Sequence, residues 1–349
     1  MSILDTLKKS STVKQSQILS ESKFFEETKV TTSVPAMNIA LSGSVDGGFG
    51  CGLTVWAGPS KHFKTNFTLF MLKAYMDANP DSICLFYDSE FGSPQAYFQS
   101  FGIDTSRILH TPVTNIEELK FDIMTQLEQI KRGDKVFIAL DSAGNIASKK
   151  EVDDALEGKS VADMSRAKQL KSLFRMVTPH LKMKQLPMVV INHTYQTQEM
   201  YSKAVVSGGT GIYYSADQIF IIGRQQEKDG TEVTGYNFII NVEKSRFARE
   251  KSKIPVQVLH GSGISKWSGL LDIAMAGKFV IKPSNGWYSR VDVDGVVEDK
   301  KFREADTNSA EFWNTVLSNP KFKQYVEDTY KVSGDMITDE EIDSELEEV

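Results

Sequence analysis

The chain has 349 residues, 40% hydrophobic and 25% charged, which describes an ordinary globular protein long enough for one large domain with smaller additions. No apolar run reaches the roughly 20 residues that span a bilayer, and Met1-Ser2-Ile3-Leu4-Asp5 opens no secretion signal, so no membrane partner is expected. Two cysteines, Cys51 and Cys84, cannot form a disulfide framework; buried free thiols and a reducing, intracellular setting are expected instead. The net charge of −6 speaks against a nucleic-acid partner only until its distribution is read, because eight acids and no Lys or Arg lie between Gly334 and Val349, and without them the body carries +2.

Residues 1–35 are polar with scattered apolar positions, and Thr28–Val34 alternates like an edge strand. Such an arm is expected to dock on its own body or on a neighbouring subunit. Residues 52–57 form an apolar strand. The next segment carries Phe67, Phe70, Met71, Ala74 and Tyr75 on one helical face. Residues 82–87 predict a second strand, and Thr114-Asn115-Ile116-Glu117 reads as a capping box opening a helix with Leu119, Ile123, Leu127 and Ile130 inward. Residues 135–140, 188–191 and 219–222 are further uniformly apolar runs of strand length. Such strands belong in a mostly parallel central sheet with helices on both faces, so the fold class is α/β. Beyond Trp267 the pattern loosens: a short helix at Leu270–Ala274, a hairpin turn at Asn285-Gly286 and a terminal helix over 311–330 suggest a small α+β C-terminal domain. The expected divisions are an arm over 1–35, a core over 36–266, the small domain over 267–333 and an acidic tail over 334–349.

The chemistry begins where the strand 52–57 ends. Gly58-Pro59-Ser60-Lys61-His62-Phe63-Lys64-Thr65, followed by Asn66 and a helix, has the order of a phosphate loop. Backbone N–H groups and the helix N-terminus would hold anionic oxygens there, Lys64 would reach the outer phosphates, and the Thr65 hydroxyl would ligate Mg²⁺. Phe63 departs from the glycine expected at its position. A tight strand-to-helix turn with a surface lysine is the plain alternative. Asp141, ending an apolar strand, can hold Mg²⁺ through water or merely start a turn. Asp88 and Glu90 compete for the task of activating a water against a γ-phosphate, and spacing does not choose between them. Asn192-His193 leaves the sheet where a nucleotide could be sensed. Glu243–Lys253 carries five basic and two acidic residues, suited to nucleic-acid phosphates, to a neighbour's nucleotide or to nothing but solvent.

Taken together these residues resemble the RecA family of recombinases, and most closely its tailed-phage branch, over about Val34 to Val332. In that branch the loop reads Gly-Pro-Ser-Lys-x-Phe-Lys-[Ser/Thr], so the resemblance makes Phe63 a family trait. It implies an ATP- and Mg²⁺-dependent, RecA-like core. Glu90, within Tyr87-Asp88-Ser89-Glu90-Phe91-Gly92, would be the catalytic glutamate, Tyr97 the aromatic on adenine, and Asp141 the Mg²⁺-associated acid. His193 would be the nucleotide sensor. Lys244 and Arg246 would reach a neighbour's γ-phosphate, and Trp287-Tyr288-Ser289 would mark the C-terminal domain. Two DNA-binding loops would fall near Ser148–Val161, with Lys149, Lys150 and Lys159, and near Thr194–Tyr214, with Lys203, Gly208, Gly209, Thr210 and Gly211. Tyr213 and Tyr214 are read as core residues rather than base-stacking ones. The implied partners are single-stranded DNA, homologous duplex DNA, further copies in a helical filament, and single-strand-binding and mediator proteins. A RecA-fold ring helicase and a DNA-coating filament with little turnover are the rival readings.

Overall fold

A computed structural model describes residues 2–25, 28–159, 165–197, 204–261 and 263–332. In chain order the elements are α1 (Ile3–Ser10), α2 (Pro35–Ser42), β1 (Gly52–Ala57), α3 (Lys64–Ala78), β2 (Ile83–Asp88), α4 (Gln95–Ser100), β3 (Ile108–Pro112) and α5 (Ile116–Gln129). Then come β4 (Val136–Asp141), α6 (Lys149–Leu156), α7 (Ser165–Lys184), β5 (Pro187–Asn192), β6 (Thr194–Gln196), β7 (Ala204–Val206) and α8 (Thr210–Ser215). Antiparallel strands follow, β8 (Gln218–Asp229), β9 (Glu232–Ser245), β10 (Lys253–Leu259) and β11 (Gly263–Ile264). The chain continues through α9 (Leu270–Ala276), β12 (Val280–Ser284), β13 (Trp287–Arg290), β14 (Phe302–Arg303), α10 (Ala310–Ser318) and α11 (Pro320–Tyr330).

Nine strands form one sheet in the order β11-β10-β9-β8-β1-β5-β4-β2-β3. From β8 to β3 the neighbours pair in parallel, whereas β9, β10 and β11 add antiparallel. Side chains of a strand alternate between faces, and on β1 both faces are covered. Leu53, Val55 and Ala57 enter a core with α5 and α7, while Trp56 enters the other, against Phe67 of α3 and Phe220 of β8. Two cores on one sheet explain why the central strands read as unbroken apolar runs. Cys51 and Cys84 are buried thiols. No helix among the described residues is long and apolar enough to cross a membrane.

Several local expectations shift. The segment 28–34 pairs through a single bridge, Val30 with Phe49, rather than as a strand, because Pro35 starts α2 immediately after it. The cap of α5 is Asn115 rather than Thr114: its side chain accepts from Glu118 N, while the Glu118 carboxylate accepts from Thr114 N and Oγ1 instead of closing the expected box on the cap residue. The helix expected over 311–330 is two helices, since Asn319 caps a new one and Pro320 occupies its first turn. None of α1 is buried, and Ile3, Leu4 and Leu7 all point to solvent, so the arm's helix does not pack on its own body. The acidic tail lies outside the described residues, as does Lys203.

Candidate functional site

The residues singled out at strand ends gather on one edge. Strands β1, β5, β4 and β2 are adjacent and parallel, so their C-terminal ends, Ala57, Asn192, Asp141 and Asp88, face the same crevice. In open α/β sheets that edge is where ligands bind.

The phosphate loop spans β1 and α3. Gly58 leaves the strand with φ 157°, and a Cβ there would lie 3.1 Å from Ile222 O. Lys61 and Phe63 both take left-handed backbone, with φ 61° and 62°. A non-glycine residue in that region costs about 1–2 kcal/mol. The Phe63 ring offsets this cost: it stacks on Phe238 of β9 at 4.8 Å and meets Phe67 edge-on at 5.5 Å. Each such pair contributes about 0.5–1.5 kcal/mol beyond area burial. The phenyl group therefore anchors the loop to the sheet's antiparallel extension, while the backbone curves as glycine would make it curve. Phe63→Ala keeps the backbone penalty and loses both ring contacts, so it should destabilise by about 2–3 kcal/mol. Phe63→Gly removes the penalty as well and should lose roughly 1 kcal/mol less. Urea unfolding of the two variants measures the difference; equal losses would show that backbone strain at 63 does not matter.

Phe63 offers no side-chain cap to α3, so the first N–H groups of this helix remain available to an anion. Lys64 is buried and its Nζ donates to Pro59 O at 2.8 Å. Burial pulls its pKa below the ordinary lysine range, against the opposing pull of Glu90 and Asp141. Its ammonium is thus poorly solvated. His62 sits 2.9 Å from Ser60 O through Nδ1, and burial lowers its pKa too.

Thr65 Oγ1 donates to Asp141 Oδ2 at 2.9 Å, whereas Asp141 Oδ1 is buried with no partner. Burial, then the nearby Glu90 charge, pushes the Asp141 carboxyl up to about 7. A buried carboxylate with an unsatisfied oxygen beside a threonine hydroxyl, next to phosphate donors, fits a divalent cation.

Asp88 and Glu90 separate cleanly. Asp88 is buried; its Oδ1 accepts from the N–H groups of Glu90 and Phe91, and its Oδ2 lies 3.1 Å from His110 Nε2. It shapes the turn. Glu90 instead reaches into the crevice, where its Oε1 accepts from Ser142 Oγ at 2.5 Å and lies 2.9 Å from His193 Nε2. Ser89 Oγ donates to Ser142 O at 2.8 Å and fastens the same turn to the end of β4. The Asp141–Ser142 peptide is cis. Ser142 and Gly144 are functional neighbours that spacing did not single out. A Cβ at Gly144 would come within 2.2 Å of the His193 ring, so only glycine lets that ring lie where it does. Asn66 lies beside the Tyr97 hydroxyl, and Tyr97 packs edge-on against Phe101 at 5.5 Å.

Asn192 joins this site to the second proposed DNA loop. Its Oδ1 accepts from His193 N, its Nδ2 donates to Ser207 O at 2.8 Å, and Ser207 N donates to His193 O at 2.9 Å. Asn192 O also accepts from Gly58 N. The loop then turns through Gly208 and Gly209, with φ 92° and 77°, into Thr210 and α8. Gly211 is packed on α7, where a Cβ would lie 2.5 Å from Lys171 Cβ. Tyr213 and Tyr214 are 37% and 72% exposed, which corrects their reading as core residues; α8 is too short to bury both faces. In the first segment expected to bind DNA, Lys149 and Lys150 lie on α6 instead of a loop, because Ser148 caps a helix there by accepting from Glu151 N. Lys150 pairs with Asp154 and Lys159 with Glu157.

Lys244 and Arg246 are not brought to the phosphate loop of their own chain. β9 runs antiparallel to β8, so Lys244 and Ser245 lie beside Ile219 and Gln218, at the start of β8. The phosphate loop leaves the other end of the parallel strands. Lys244 Nζ donates to Tyr213 O at 2.6 Å, and Arg246 Nε pairs with the buried Asp217 at 2.9 Å. Asp217 also accepts from Leu53 N and pairs with Lys182 at 3.2 Å.

A phosphate loop after a central parallel strand, a Thr–Asp pair beside it and a poised glutamate one strand away define a P-loop nucleotide-binding α/β protein. The family model described as the RecA N-terminal domain matches residues 5–265, and that of the Bacteriophage T4 recombination and repair protein C-terminal domain matches residues 267–326. The chain belongs to the RecA family. It is 49% identical over 347 residues to the recombination and repair protein of Enterobacteria phage T4, covering 98% of this chain and 88% of that one. It is 24% identical over 318 residues to Protein RecA of Leifsonia xyli subsp. xyli, covering 89% and 84%. With Protein RecA of Clavibacter michiganensis subsp. michiganensis the figures are 23% over 286 residues, 81% and 74%.

Proposed function

We propose that this chain is a DNA-stimulated ATPase that polymerises on single-stranded DNA and catalyses homologous pairing and strand exchange in recombination, repair and recombination-dependent replication. One observation carries the reading beyond family membership. Glu90, the candidate base, is bonded to His193, whose backbone is clasped to Ser207 at the mouth of the second loop. The nucleotide crevice and a DNA-facing segment thus share one short chain of hydrogen bonds.

The residues divide the work. Lys64 and the first N–H groups of α3 bind the outer phosphates and orient them. Thr65 and Asp141 would hold Mg²⁺, which when bound supplies charge neutralisation on the phosphates. Glu90 orients the attacking water and accepts its proton, while Ser142 and His193 fix the carboxylate in place. Tyr97, half-buried beside Asn66, offers its ring to the base. Lys149, Lys150, Lys159, Lys203 and the Gly208–Gly211 turn contact the DNA backbone without reading bases. Lys244 and Arg246 complete the site of the next protomer.

The test is ATP turnover with and without single-stranded DNA, read beside electron micrographs of the same mixtures. Turnover should rise several-fold with DNA as helical filaments appear. Closed rings with strand separation, or filaments with no DNA-stimulated turnover, would replace the proposal by a helicase or by a passive coat.

A further inference from the structure

We propose that Tyr213 is a positioning residue for Lys244, and that through it the second loop sets where this lysine can reach. The inference rests on the reading that Lys244 serves a neighbour's nucleotide. A lysine side chain is a flexible four-carbon stem with a point charge at its end. Here that end is held twice by one residue: Nζ donates to Tyr213 O at 2.6 Å and lies 5.3 Å from the centroid of the Tyr213 ring. Burial, with Arg246 close by, also holds the Lys244 pKa below the ordinary lysine range, so its ammonium is partly withdrawn from solvent where it meets Tyr213.

Tyr213 cannot move independently of the loop before it. It lies on α8, which starts directly after Gly208 and Gly209 and is pressed on α7 at Gly211. On its other side the loop is tied at Ser207 to Asn192 and His193 of its own nucleotide site. So α8 stands between the His193 of one site and the cation offered to the next. Arg246 is held separately, by Asp217 just beyond α8. Any rearrangement of the loop that shifts α8 carries the Lys244 ammonium with it.

The experiment compares Tyr213→Ala, Tyr213→Phe, Lys244→Ala and the Tyr213→Ala/Lys244→Ala double variant in the full chain. ATP turnover is read at saturating single-stranded DNA, and DNA affinity across a salt series. Losing a partly desolvated cation–π contact predicts a roughly five-fold fall in turnover for Tyr213→Ala. Tyr213→Phe should keep the parent rate, because ring and carbonyl both remain. In the Lys244→Ala background the Tyr213→Ala change should do nothing further, as expected when two residues act through one contact. Effects that multiply in the double variant would overturn the proposal. So would weaker DNA binding by Tyr213→Ala with turnover at saturating DNA intact, which assigns the ring to DNA. Unchanged turnover in Lys244→Ala itself would overturn the underlying reading of that lysine, a result distinct from either.

Discussion

Glu90→Gln is expected to lower ATP turnover by about 10²–10⁴-fold, the usual contribution of a positioned general base, while nucleotide binding and filament formation persist. The substitution keeps the side-chain length and one oxygen able to accept from Ser142, so the turn over 88–91 keeps its shape. That turn is governed by Asp88, which accepts from the Glu90 and Phe91 N–H groups and is untouched by the change. Glu90 is also only partly buried, its side chain 29% exposed, so the fold loses little. What disappears is the ability to accept a proton from water. Asp88→Asn should behave in the opposite way: it disturbs the turn and the contact with His110 and acts on stability first. Single-turnover ATP cleavage, measured beside nucleotide affinity, separates chemistry from binding. If Glu90→Gln still cleaves ATP at near the parent rate, the water is activated by another group and the assignment of Glu90 falls.

The division of labour between the two acids shows which parts of this site were legible in the sequence. The strands and their ends were, because a parallel sheet covered on both faces demands apolar runs, and a ligand edge leaves polar residues at their tips. Asp88, Asp141 and Asn192 are visible for that reason alone. What could not be read was contact between distant segments. Phe63 looked like a flaw in the loop until Phe238, far along the chain, supplied its stacking partner. Gly144 gives no sign that His193 presses on it. The antiparallel extension β9–β11 was missed because its two faces are unequally buried and its pattern is neither a clean alternation nor an unbroken apolar run. Pro320 is a legible signal of the break between the last two helices: a proline after an asparagine cap starts a helix rather than continuing one. Tyr213 and Tyr214 show the limit of composition, since Gly211 and Ile212 take the buried face of α8 and leave the two rings on its open side.

The topology of β9 makes the sharpest claim about assembly. Lys244 and Arg246 sit at the start of β8, held by Tyr213 and Asp217, while the phosphate loop, Glu90 and Asp141 occupy the far edge of the same sheet. Cations that serve phosphoryl transfer from another subunit typically raise turnover by about 10³-fold or more. Lys244→Ala and Arg246→Ala should therefore each be nearly as inactive as Glu90→Gln, although their own nucleotide sites are intact. Mixing decides whether the contact is in trans. In an equimolar mixture of Glu90→Gln and Lys244→Ala, some sites pair the intact Glu90 of one variant with the intact Lys244 of the other. Random head-to-tail assembly makes about a quarter of all sites whole, so the mixture should recover about a quarter of the parent turnover from two inactive proteins. Recovery must depend on assembly: it should vanish where single-stranded DNA and filaments are absent. A mixture no more active than its components would place Lys244 in cis, and the distance between the two edges of the sheet would then have to be closed within one protomer.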